Sequence, residues 1–168
     1  MNNHETVKLL NDLLTKAYDA EQGYANAAER VTPGSHLCRF FYGLSRQRES
    51  FVEEIKSLMA HYDGKPHEGA SLLSKVHCIW FLLKDLVTGD ETEILEECIR
   101  GEAAAIREYD AVLTLDDLPH NVRTLVSRQR NIIASCIHEI HNEEDAVSEI
   151  RSNKLESAQQ SPSQNTAV

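Results

Sequence analysis

Four polar side chains stand where apolar ones are expected. In five segments of this 168-residue sequence, apolar residues recur at alternating steps of three and four, the spacing that places them on one helical face. Glu21, Arg48, Glu102 and Gln129 each interrupt one such stripe. Each lies roughly 12 to 15 residues from the turn bounding its segment, near mid-helix at about 1.5 Å rise per residue, so the four can share one layer of a bundle. Inward carboxylates in one layer are the raw material of a di-metal site, because hard cations take oxygen ligands. With Glu49 rotated inward, the ligands would be Glu21, Glu49 and Glu102, and the metal iron or manganese. Two features oppose that chemistry. Di-metal bundles carry Glu-x-x-His on two helices, and no Glu-x-x-His occurs in this chain. Arg48 is permanently charged and only donates, so it cannot ligate a cation and it offsets the carboxylates a metal would neutralise. The expectation is therefore a structural network of Glu21, Arg48, Glu102 and Gln129 that fixes helix register, with a Glu21–Arg48 ion pair and no cofactor.

Other chemistry-bearing residues read more simply. His138 and His141 are three apart with Asp145 beyond them, but their neighbours Asn131, Ser135 and Asn142 are polar, as on a solvated face. His77 precedes Trp80 by three, so the two can touch on one helix face, and a structural histidine is expected. Cys98 and Cys136 lie on core stripes and behave as small buried hydrophobes. No Ser, Thr or Cys has the context of an activated nucleophile, and neither a P-loop nor a Gly-rich dinucleotide motif is present. Catalytic residues are not expected.

The elements that would position these residues are helices. The first spans about 5–30 and ends at Thr32-Pro33-Gly34, with Ser35 as N-cap of the next. The second spans about 36–62 and stops at Asp63-Gly64-Lys65-Pro66. A shorter helix, Ser71 to Val87, is apolar over most of its girth. Two more span about 91–113 and 119–150, the last opening on Pro119 as a first-turn proline. Two long hairpins joined by a crossover that holds the short helix make an all-α, ferritin-like four-helix bundle. Residues 1–150 are expected to form the bundle, and 151–168 a polar, disordered tail.

The net charge of -10 argues against partners with phosphate backbones or anionic membrane surfaces, so neither nucleic acid nor membrane is expected. The longest apolar run, 78–83 extended by Leu86 and Val87, is too short to span a bilayer. Cys38, Cys78, Cys98 and Cys136 form no Cys-x-x-Cys pair, and the chain opens without a basic, apolar leader, so a reduced, cytoplasmic protein is expected.

The segments Asp19 to Tyr24 with Ala27-Ala28-Glu29, Arg46 to Phe51, His77 to Trp80, and Glu97 to Glu102 followed by Tyr109 together resemble a bacterial ferritin-like family of unknown function. The resemblance spans about residues 5–145 and implies a four-helix bundle; it carries no established activity. Two functions are in view. One is a non-enzymatic bundle acting by self-association or a protein partner, as a homodimer through the Ser71–Val87 helix, whose Cys78, Phe81 and Leu82 lie off the bundle-facing stripe. The other is a metalloprotein that binds or oxidises iron in metal handling or stress.

Overall fold

The computed structural model describes residues 1–66 and 90–159, which form four α-helices. They are α1, Asn3–Arg30; α2, His36–His61; α3, Glu91–Leu113; and α4, His120–Gln159. There is no strand among the described residues. The expected helix over 71–87, and with it the expected dimer contact, lies outside them.

Local chemistry sets the helix ends. Asn2 and Glu5 form a reciprocal capping box: the Glu5 amide donates to Asn2 Oδ1 and the Asn2 amide to Glu5 Oε2, both at 2.9 Å. Ser35 caps α2, its Oγ accepting from the Cys38 amide at 3.0 Å, after a turn in which Gly34 adopts φ 73°. At the other end of α2 the Tyr62 and Gly64 amides both return to the Met59 carbonyl, with Asp63 at φ 52° between them. Asp90 Oδ1 accepts from the Thr92 amide at 3.0 Å and starts α3. In α4 the Pro119 carbonyl receives the first helical bond, from the Arg123 amide, so Pro119 is the N-cap and His120 the first helical residue.

Packing is extensive within the α1–α2 and α3–α4 hairpins and sparser between them. Cross-hairpin side-chain pairs give the helix directions. Lys16 meets Glu108 and Tyr24 meets Glu102, so α1 and α3 run antiparallel. His36 meets Glu143, Gln47 meets Cys136 and Glu54 meets Arg128, so α2 and α4 do too. The two ends of the described chain around 67–89 sit at opposite ends of the bundle. The Lys65 carbonyl accepts from Asn11 near the start of α1, whereas Asp90 pairs with Arg151 beyond the α1–α2 turn.

The core has two apolar halves, each built from all four helices. One centres on Leu10, Leu14, Phe51, Ile55, Val122 and Val126; the other on Ala27, Phe41, Leu44, Ile94, Leu95 and Ile140. Each fully buried Leu, Ile or Phe contributes about 1.5–3 kcal/mol by leaving water. Between the halves lie Arg48 of α2 and Glu102 of α3, both buried, while the buried Gln129 of α4 stands between Val126 and Ile133 within the first half.

One boundary differs from the expectation. The tail expected to lose structure after Ile150 continues as helix through Gln159, with residues 151–157 all exposed. Lys154, Leu155, Glu156 and Ala158 are strong helix formers, and extending an existing helix needs no new nucleus. The low burial capacity of this stretch is real; it prevents packing, and does not prevent helix.

Candidate functional site

The layer between the two apolar halves is closed by one carboxylate. Arg48 stands on α2 between Leu44 and Phe51 and is 2% exposed; Glu102 stands on α3 and is 4% exposed. Arg48 Nη2 donates to Glu102 Oε1 at 2.6 Å. The Tyr24 hydroxyl of α1 donates to the same oxygen. Three helices thus meet on a single carboxylate. The guanidinium also lies over the Phe51 ring, 4.9 Å from its centroid, and over the Tyr24 ring at 5.8 Å, an aromatic surround that favours a cation. Among the described residues its Nη1 has no hydrogen-bond partner.

The electrostatics keep Tyr24 neutral and Arg48 charged. Burial, followed by the neighbouring Glu102 charge, raises the Tyr24 hydroxyl well above its ordinary value of 10, so Tyr24 stays a neutral donor. Burial works against the charge on Arg48, but Glu102 outweighs it, and the guanidinium is protonated throughout the accessible range. A cation and an anion removed from water together are stable only as a hydrogen-bonded pair. This pair meets that condition.

A second polar tier lies one to two turns along. The Tyr109 hydroxyl of α3 donates to Gln129 Oε1 of α4 at 2.9 Å, and burial raises that hydroxyl as well. Gln129 Nε2 donates to Glu54 Oε2 of α2 at 2.9 Å, and Arg128 Nη1 reaches the other Glu54 oxygen at 2.8 Å. Between the tiers and the far half of the core, Cys136 Sγ donates to Gln47 Oε1 at 3.1 Å. Burial pushes the Cys136 thiol up to about 11 and raises Cys98 further, so neither supplies a thiolate at neutral pH.

Of the four residues expected in the internal layer, the structure brings Arg48 and Glu102 together and sets the buried Gln129 in the second tier. It does not bring in Glu21, and the expected Glu21–Arg48 ion pair is replaced by Arg48–Glu102. Glu21 is only partly buried, at the α1–α2 seam. Burial and then Glu49 raise its carboxyl, with Lys56 acting in the opposite sense. The residue one turn further, Tyr24, enters the layer instead. Glu49 is exposed. The expected ligand set Glu21, Glu49 and Glu102 is therefore not assembled. Among the described residues no group of three or more His, Cys, Asp and Glu is placed to hold a metal ion. The one buried carboxylate of that set already accepts from Arg48 and Tyr24, a donor-filled setting that does not fit iron or manganese. His138, His141 and Asp145 are exposed, and His141 Nδ1 faces Glu144 at 3.2 Å, as on a solvated face. His77 and Trp80 lie outside the described residues.

The sequence reading gives the hydroxyls of Tyr24 and Tyr109 no role. The signal was present: a buried tyrosine needs a partner for its O–H. Glu97, 5% exposed, was also missed; Arg100 of the same helix donates to its Oε2 at 2.8 and 2.6 Å from Nε and Nη2.

Residues 5–115 match a domain of unknown function, DUF2383, which covers α1, α2 and α3 and ends at the turn before α4. A search of curated proteins finds no match.

Proposed function

The chain belongs to the DUF2383 family, and from the closed state of its central layer we propose that it is a ferritin-like helical bundle that acts by association, with itself or with a protein partner, rather than by catalysis. The observation that carries this reading is the double occupation of Glu102 Oε1 by Arg48 and Tyr24. A catalytic or metal-binding carboxylate must offer a free lone pair or exchange a proton. Glu102 Oε1 is committed to a permanently charged donor in a dry core, and that fixed positive charge opposes a metal cation at the same carboxylate. The ferritin-like placement draws support from the helix order. Two antiparallel hairpins face each other antiparallel, and the chain leaves α2 at one end of the bundle and enters α3 at the other, as one long crossover requires.

Elemental analysis of protein purified without an affinity tag tests the reading. Iron, manganese and zinc well below one equivalent per chain are expected. Near-stoichiometric metal would overturn it in favour of an iron- or manganese-binding bundle, since Glu102 would then have to leave Arg48 for the metal.

The association assigned here is a homodimer through the apolar sequence 71–87. In that segment Val76, Ile79, Trp80 and Leu83 make one stripe, leaving Cys78, Phe81 and Leu82 for a second face. Light scattering on the intact chain is expected to give twice the chain mass, and Phe81→Glu with Leu82→Lys to give one. A monomeric parent, or a dimer indifferent to both changes, removes this segment as the interface.

A further inference from the structure

We draw no further inference here: the strongest candidate, the open groove between the second half of α2 and the first half of α4 floored by Leu58 and Leu125, has its Glu54 already paired with Arg128 and its Glu53 with Lys56, and nothing in the structure shows what covers it.

Discussion

Arg48 and Glu102 form a pair in which either member alone is a liability. Removing one partner of a buried pair leaves an uncompensated charge, at a cost of about 3–5 kcal/mol, whereas removing both leaves none. Arg48→Met is expected to lower stability by that amount. Adding Glu102→Gln should restore part of it, and a double-mutant cycle by urea unfolding should give strong coupling. The same cycle between Arg48→Met and Glu21→Gln should give none, because Glu21 lies outside the layer. A second titration belongs to Asp19, whose carboxyl is pushed from an ordinary 3.8 up to about 6 by burial, with Lys16 opposing and Glu108 adding. The folded state therefore binds this proton more tightly than the unfolded one. Its contribution favours folding at low pH and is lost as pH rises through about 6. Asp19→Asn should gain stability relative to the parent between pH 4 and pH 8, read as the difference in urea midpoints at the two values. Much at this scale was legible in the sequence. Arg48, Glu102 and Gln129 each break an apolar stripe, and a polar break in a stripe points inward. The partner was not legible. Glu21 is near Arg48 across a short turn, but the side chain that reaches it comes from α3, across a helix adjacency that no local pattern encodes.

At the scale of the element, turn chemistry did most of the specifying. Ser35 and the Pro33-Gly34 turn were readable as a boundary, and they are one. The turn after α2 is tighter than its composition announces. A Cβ built on Gly64 would lie 2.6 and 2.9 Å from the two Val7 methyls and 3.2 Å from the Met59 carbonyl oxygen. Gly64→Ala should therefore cost about 1–3 kcal/mol, as overpacking does. Val7→Ala in the same chain should recover a share of that loss, measured by thermal or urea unfolding; equal losses with and without Val7 would refute the contact as the cause. The end of α4 was misread because composition reports capacity to bury a core, whereas helix continuation depends on propensity. Arg151 of α4 pairs with Asp90, the N-cap of α3, at 3.0 Å, and residues 152–157 beyond it are exposed.

For the whole molecule, each apolar half of the core is built from side chains of all four helices. Exhaustive chelation is accordingly expected to leave the unfolding midpoint within about 2 °C of its starting value. A large drop reversed by one divalent metal would show that metal binding is coupled to folding. The all-helical class followed from periodicity and few breakers; the pairing of helices across the bundle did not, since four similar amphipathic stripes can be arranged in more than one way. The family match ends at residue 115, yet α4 supplies Val122, Val126, Ile133, Cys136 and Ile140 to the buried core, so the matched stretch is less than the folding unit. The uneven packing has a consequence for motion. Because α1–α2 and α3–α4 adhere more closely within themselves than to each other, the bundle is expected to open by two leaves parting along that seam. Arg48 sits on one leaf and Glu102 on the other, so parting them strands both charges at once. The ion pair acts as a latch on breathing, and its loss should show in amide hydrogen exchange as earlier exposure along the seam-facing turns of α2 and α3, while exchange within each hairpin keeps pace with global unfolding.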